Sequence, residues 1–359
     1  MSDQKQQSGQ PHKRRPHYSG KYPRRYEEKY KELNPEKYKA EAEHVIEKGN
    51  TPAGTHIPIM VNEILDFLKI RPGQQGLDCT LGYGGHTSKM LEMLDGHGHL
   101  YSLDYDPIEI IRTTERLRGE GYSETIWTPV NTNFVHIDQI AEKYGKFDFL
   151  LADLGVSSMQ IDNPARGFTW KADGPLDLRF NPQKGQPASE RLRAITEEEF
   201  EGMMAENSDE PYADRIAAEV FRQMKRGEKF ETTFALRRAI EQAVASAPDF
   251  RGASKYEIQE AQKKSCARVF QALRIDVNSE FEVLYEFLEK LPDVLKEGGR
   301  AAILTFHSGE DRLVKKAFKA GMREGLYSEI AKDAIRPTSE ECYRNPRAHS
   351  TKFRWAVKR

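Results

Sequence analysis

Apolar and polar positions fall into two alternating registers along the middle of the chain. Short, densely apolar runs (GLDCTL, GHLYSLDYD, TIWTPVN and FDFLLADLG) have the length and the β-branched and aromatic content of buried strands. Between them, IMVNEILDFLKI, HTSKMLEML, PIEIIRTTERLRG and HIDQIAEKYG set apolar residues on one face at helical spacing. This alternation predicts an α/β fold with a parallel, doubly wound sheet whose ligands bind at the strand C-termini.

The alternation stops after the fourth strand. From about Met159 to Lys264 there is no strand pattern, only a loop punctuated by proline and glycine, DNPARGFTWKADGPLDLRFNPQKGQPAS, and then helical text: EEEFEGMMAE, YADRIAAEVFRQMKRG and TTFALRRAIEQAV. A loop of that length without secondary structure is usually functional or disordered. The pattern resumes with one long helix, ARVFQALRIDVNSEFEVLYEFLEKLPDVL, the turn KEGG, the strand RAAILTFHS, the helix GEDRLVKKAFKAG and a last strand, KFRWAVK. The expected organisation is an extension over 1–55, a core made of 56–160 and 265–359, and a mostly helical insertion over 161–264.

Composition adds little to that picture except at the N-terminus. The 55 basic and 56 acidic residues nearly cancel, so total charge indicates no partner. The cysteines Cys79, Cys266 and Cys342 are far apart and odd in number, which argues against a disulfide framework or a metal motif and for a reducing, cytoplasmic compartment. No apolar run approaches the roughly 20 residues of a membrane span, and no secretory h-region follows the basic start. The first 25 residues carry seven Lys or Arg against Asp3 alone, and Tyr18, Tyr22, Tyr26 and Tyr30 recur every fourth position. Such a segment reads either as a solvated tail with a marginal charged helix or as an arm that stacks on unpaired bases while its cations meet phosphate.

Chemistry concentrates in DCTLGYGGH, Asp78 to His86, where Gly82, Gly84 and Gly85 join the first strand to a helix. A glycine turn there lets backbone N–H groups approach a nucleoside-containing ligand. About twenty residues on, as a ribose-binding carboxylate requires, Asp104 ends the second strand. The spacing G-x-G-G, with His86 where a dinucleotide fingerprint has its last glycine, departs from the NAD pattern. S-adenosylmethionine, which has no pyrophosphate to cradle, fits better.

In order along the chain, DCTLGYGGH, LDYDP, NTNF, LLADLGVSSMQID, RGFTWKADGPLDLRF, RVFQALRIDVNSE, EGGRAAILTFHSGEDRLVK and NPRAHSTKFRWA resemble the motifs of the bacterial small-subunit ribosomal RNA methyltransferase H family, also called MraW. The resemblance runs from His56 to Lys358. It implies a class I S-adenosylmethionine-dependent methyltransferase fold with an inserted, mostly helical domain, and methylation of N4 of a cytidine in the decoding centre of 16S rRNA. Carried over by position, it implies cofactor contacts at Gly84, Gly85, His86, Asp104, Phe134, Asp153 and Gln160. It also implies a partner, 16S rRNA or the small ribosomal subunit, and a homodimer by family habit.

Methyl transfer to a cytosine amine is mostly a matter of positioning, because the amine lone pair is delocalised into the ring and must be localised by acceptors on its N–H bonds. This chain has DLGVSS where many amino methyltransferases carry a Pro-Pro-aromatic motif. The acceptor role therefore falls to Asp153, to a hydroxyl of Ser157 or Ser158, or to a nearby carbonyl, with Asp153 favoured. Asp173, Asp177 and Arg179, on the polar loop, read either as further candidates for closing over an extruded base or as a salt-bridged loop scaffold. His307 and Ser308 end the fifth strand at the same sheet edge.

The RNA grip is expected from Arg312, Lys315, Lys316, Arg347, Lys352, Arg354, Arg268, Arg274 and the RQMKRGEK segment of the insertion. Three features depart from the family: Gly309 replaces a usual Leu, Ser265-Cys266 replaces His-Pro, and the segment between VKKAF and IRPTSEE is short. Two alternatives follow, a paralogue acting on another RNA position and a noncatalytic ribosome-assembly factor. A Rossmann dehydrogenase fits the glycine spacing poorly.

Overall fold

The computed structural model describes residues 58–359, and the basic N-terminal extension with its tyrosine repeat lies outside the described residues. The chain opens with α1 (Val61–Leu68) and then alternates: β1 (Gln75–Asp78), α2 (Gly85–Leu94), β2 (His99–Asp104), α3 (Pro107–Gly119), β3 (Trp127–Asn131), α4 (Ile137–Tyr144) and β4 (Phe147–Asp153). After β4 come only helices: α5 (Ser158–Asp162), α6 (Ala188–Ala194), α7 (Glu197–Ser208), α8 (Ala213–Lys225), α9 (Thr233–Ala245), α10 (Lys255–Asn278) and α11 (Glu280–Val294). The chain then closes with β5 (Leu295–Thr305), α12 (Ser308–Arg323), β6 (Tyr327–Ile330), α13 (Ser339–Arg344) and β7 (Lys352–Lys358).

The seven strands form one sheet in the order β3-β2-β1-β4-β5-β7-β6. The first five are parallel, and β7 is antiparallel to both of its neighbours. Strand order reverses between β1 and β4, which puts the ligand crevice at their C-terminal ends. Those ends are Asp78 and Asp153.

Alternation within β4 and β5 splits the core cleanly. Phe149, Leu151, Ala302 and Leu304 join the layer of α1, α2 and α3 with Ile64, Met90 and Leu117. Leu150, Ala152, Ala301 and Ile303 face α4, α11 and α12 through Ile140, Leu284, Phe287 and Val314. A third apolar cluster runs from Phe168 to Leu273 and holds the post-β4 helices together around Phe200, Ile216, Leu236 and Val269.

Two expectations about the helices need correction. The long helix expected to run unbroken into LPDVL is interrupted at Ser279, whose φ of 49° is left-handed and ends α10 before α11 begins. The boundary expected at 264/265 falls inside α10, a continuous helix of 24 residues. Ser265 and Cys266 lie buried in its middle, and Ser265 Oγ donates to Glu210 Oε1 at 2.8 Å. The strand β6 and the helices α6 and α13 were not legible in the sequence pattern.

Candidate active site

The turn after β1 is built from the backbone outward. Gly82 has φ +49°, and a Cβ there would face open space, meeting only the Thr80 carbonyl at 3.9 Å. Gly84 (φ +77°) and Gly85 lack side chains for another reason. A Cβ on Gly84 would meet Thr113 Cγ2 at 2.8 Å, and one on Gly85 would meet Pro58 Cγ at 2.5 Å. Gly82 therefore opens the turn toward a ligand, whereas Gly84 and Gly85 let α2 sit close against its neighbours.

Asp104 is held by this turn. Its Oδ2 accepts from the Gly82 N–H and its Oδ1 from the Asp106 N–H, each at 2.8 Å. Two oriented backbone donors leave the outer lone pairs free for a ligand's hydroxyls. Burial, with Asp106 and Glu109 nearby, pushes the Asp104 carboxyl up to about 7.

At the switch point the strand ends are tied together. Asp78 accepts from Thr87 Oγ1 at 2.6 Å and from the Thr80 N–H at 3.0 Å, and the Thr80 hydroxyl accepts from the Asp153 N–H at 2.7 Å. The Asp153 side chain keeps 29 % of its surface open and stands 3.6 Å from Nε2 of His86. Asp153 Oδ1 and His86 Nε2 are both buried without a hydrogen-bond partner among the described residues. Burial, then the charges of Asp78 and Glu310, raise Asp153 to about 7, and burial lowers His86 to about 4. Near neutral pH the histidine is uncharged and the carboxyl straddles its ionisation.

The other sequence-derived residues divide into two groups. Phe134 opens the turn after β3 and meets Phe287 edge to face, with centroids 5.1 Å apart. Gln160 lies at the start of α5, where both ends of its amide are committed. Its Oε1 accepts from the Ser157 N–H at 2.9 Å, and its Nε2 donates to Asp106 at 2.8 Å. Ser157 caps the same helix, its Oγ accepting from the Gln160 N–H at 3.1 Å. That leaves Asp153 as the carboxylate with unspent acceptor capacity at the end of β4.

The loop residues spend their charges locally. Asp177 and Arg179 form a bidentate pair at 2.7 and 2.8 Å, and Asp173 Oδ1 accepts from the Phe234 N–H at 3.2 Å at the start of α9. Arg347 donates to Asp162 at 2.8 Å, which pins the turn before β7 to α5. Lys315 is exposed on α12. Arg312 borders a cavity of about 750 Å³ that also takes Glu206, Asp209, Glu282, Glu286 and Glu289, and such a lining repels phosphate. Gly309 lines it too, because Phe281 fills the place of a side chain there, 2.5 Å from the position of a Cβ.

His307 caps α12 in a reciprocal arrangement with Glu310, whose Oε2 accepts from the Phe306 N–H at 2.8 Å. His307 Nε2 is 3.2 Å from Glu310 Oε1. Burial alone would raise Glu310, but His307 and Arg274 outweigh it and hold the carboxyl below its usual range. Glu280, His307 and Glu310 bring one ligand atom each within 4.8 Å of one another, the spacing of a metal site. Glu280, however, is already gripped by Arg274 at 2.7 and 2.9 Å, so a protein cation occupies that role.

Sequence reasoning missed four participants: Thr80, Asp106, Arg166 and Glu310. Asp106 had a signal, since an Asp followed by Pro at the start of an apolar-periodic helix is an N-cap signature. Its carboxylate does cap α3, accepting from the Ile108 N–H at 2.9 Å. The partner of Arg166 comes from tertiary contact and left no trace in spacing, whereas Glu310 stands three residues after His307 with the spacing of a capping box.

A parallel sheet with one antiparallel strand at β7, a glycine turn beside a backbone-held carboxylate at the end of β2, and a free carboxylate at the end of β4 are the features of a class I, S-adenosylmethionine-dependent methyltransferase. The residues fit that cofactor: Gly82 leaves room, Asp104 presents paired acceptors, and His86 Nε2 and Asp153 Oδ1 are buried with no partner among the described residues.

The chain belongs to the MraW methylase family, whose model matches residues 53–359. It is 60 % identical over 358 residues to the ribosomal RNA small subunit methyltransferase H 1 of Agathobacter rectalis, covering 100 % of this chain and 99 % of that one. The protein of the same name from Lachnoclostridium phytofermentans is 59 % identical over 347 residues, 97 % of this chain and 93 % of its own. The ribosomal RNA small subunit methyltransferase H of Acidobacterium capsulatum is 35 % identical over 308 residues, 85 % of this chain and 98 % of its own. No helix among the described residues is long and apolar enough to cross a membrane.

Proposed function

We propose that this chain methylates N4 of a cytidine in the decoding centre of small-subunit 16S rRNA, using S-adenosylmethionine. The observation that carries this reading is Asp153: a carboxylate at the switch point with one buried, unpartnered oxygen and a carboxyl raised to about 7. A cytosine amine needs such a group. By accepting from one N–H of the amine, the carboxylate draws the nitrogen lone pair out of conjugation, and it then takes the proton that the amine sheds. When bound, S-adenosylmethionine supplies a methyl group made electrophilic by its sulfonium. Asp104 would hold its ribose, with Gly82, His86 and Phe134 forming the rest of its surroundings.

Support for the RNA target comes from similarity over the whole chain length to relatives named for small-subunit rRNA methylation. The helices that follow β4 as far as Asn278, which share one apolar core, are the part of the chain assigned to RNA recognition, together with Lys315 and Lys316 on α12. We assign the enzyme to the cytoplasm, where ribosomal subunits mature, and to a homodimer, which light scattering of the purified chain tests.

The deciding experiment uses small subunits from cells that lack this gene, with labelled S-adenosylmethionine and mass-spectrometric mapping of the product. Label on N4 of a decoding-centre cytidine is the expected result. Label at another RNA position would point instead to the divergent-paralogue reading, and cofactor binding without any transfer would point to an assembly factor.

A further inference from the structure

Arg166 is an almost fully buried arginine outside the cofactor turn, and the methyl-transfer chemistry makes no direct use of it. Its Nη1 donates to Asp106 Oδ2 at 2.6 Å. Its Nη2 donates to the carbonyls of Arg179 and Phe180 at 3.0 and 2.8 Å. One guanidinium thus spans the turn that follows β2 and the polar loop that follows β4. The arrangement is planar-fork recognition, which lysine cannot reproduce.

Asp106 is the hub of this link. Its N–H holds Asp104, its Oδ1 caps α3, and its Oδ2 accepts from both Arg166 and Gln160. A second contact runs in parallel: Lys184, from the far end of the same loop, lies 5.8 Å from the ring centroid of Tyr105, the residue between Asp104 and Asp106. The loop therefore docks at two places on the three residues that carry the ribose carboxylate. Leu178, between Asp177 and Arg179, takes the left-handed φ of +66°.

We propose that Arg166 is a positioning residue that couples cofactor occupancy to the order of the loop 166–187, the segment carrying Asp173, Asp177 and Arg179. Asp106 stays anchored by α3 and Gln160 when the arginine is removed, so Asp104 keeps its orientation. The loop, by contrast, loses its bond to Asp106 and the two internal bonds that tie its start to the Arg179 and Phe180 carbonyls. Cofactor affinity and loop order thus separate in an Arg166 variant. This inference rests on the cofactor reading of Asp104 and does not depend on which RNA is modified.

Hydrogen exchange on the purified full chain, with and without S-adenosylhomocysteine, tests it. In the wild type, the ligand should slow exchange at least threefold both at 82–86 and across 166–187. In Arg166→Gln the slowing at 82–86 should remain, with the ligand Kd within threefold of wild type, while the slowing across 166–187 disappears. Arg166→Lys keeps a charge against Asp106 but cannot also reach both carbonyls. It should lose the loop protection too, and it decides the matter if the glutamine variant does not fold.

Loop protection that persists in Arg166→Lys, or that is absent in the wild type, would overturn the proposal. Equal loss at both segments would also overturn it, since Arg166 would then be scaffold for the whole domain. Wild-type protein that shows loop protection yet transfers no methyl to small subunits would refute the RNA target and leave the coupling standing.

Discussion

Nε2 of His86 lies 3.6 Å from Oδ2 of Asp153, beyond a direct hydrogen bond, and the two groups titrate in opposite directions from their ordinary values. Burial keeps the imidazole neutral at physiological pH, so it does not neutralise the carboxylate. Asp153 is left with one buried oxygen that has no hydrogen-bond partner among the described residues, the acceptor capacity that the proposed role requires.

Holding that carboxylate has a cost in stability. Its pKa is raised in the folded chain, so the contribution is stabilising and fully present below the unfolded value near 3.8 and is lost as pH rises through about 7. Asp153→Asn removes this dependence. The variant should be more stable than the wild type at pH 8, by on the order of 2 kcal/mol after allowance for the open part of the side chain, and should show no advantage near pH 4. Urea denaturation at the two pH values measures the difference.

Asp104 should matter chiefly to the cofactor. Asp104→Asn turns an amide donor toward either the Gly82 or the Asp106 N–H and removes the charge from the ribose site. Affinity for S-adenosylhomocysteine should fall by about 10- to 100-fold, the loss of a charged hydrogen-bond pair. Titration calorimetry reads this directly, and an unchanged Kd would remove Asp104 from the site.

The glycines should separate by role. Gly84→Ala drives a methyl into Thr113 and Leu117, with contacts of 2.8 and 3.0 Å, and should destabilise the fold by about 2–4 kcal/mol. Gly82→Ala meets no protein atom closer than 3.9 Å, so it should cost only about 1–2 kcal/mol of backbone strain while weakening cofactor binding more than Gly84→Ala does. Unfolding midpoints and ligand Kd values for the two variants make the comparison.

The parallel half of the sheet was legible because each strand from β1 to β4 is a compact apolar run bounded by a helix of clear period, and the placement of Asp104 and Asp153 at strand ends was legible with it. The break at Ser279 was hidden because NSEFE contains neither Gly nor Pro, and a left-handed serine leaves no composition signal. β6, with only 4 residues at the sheet edge, is too short to show a period. Arg166 and Asp106 are 60 positions apart, and only the folded chain brings them together. Asp177 and Arg179 read either as a closing loop or as a salt-bridged scaffold, and in the structure the left-handed turn at Leu178 lies between the two paired charges.

The role of Asp153 is tested most directly by the single-turnover rate of methyl transfer to unmodified small subunits, measured across pH for the wild type and Asp153→Asn. The wild-type rate should climb with pH to a plateau, with a midpoint near the carboxyl's value of about 7. The variant should be slower by at least about 100-fold and should lack that limb, as expected when a proton acceptor is removed. A variant that keeps the wild-type rate and the same pH profile would contradict the account and move the acceptor role away from Asp153.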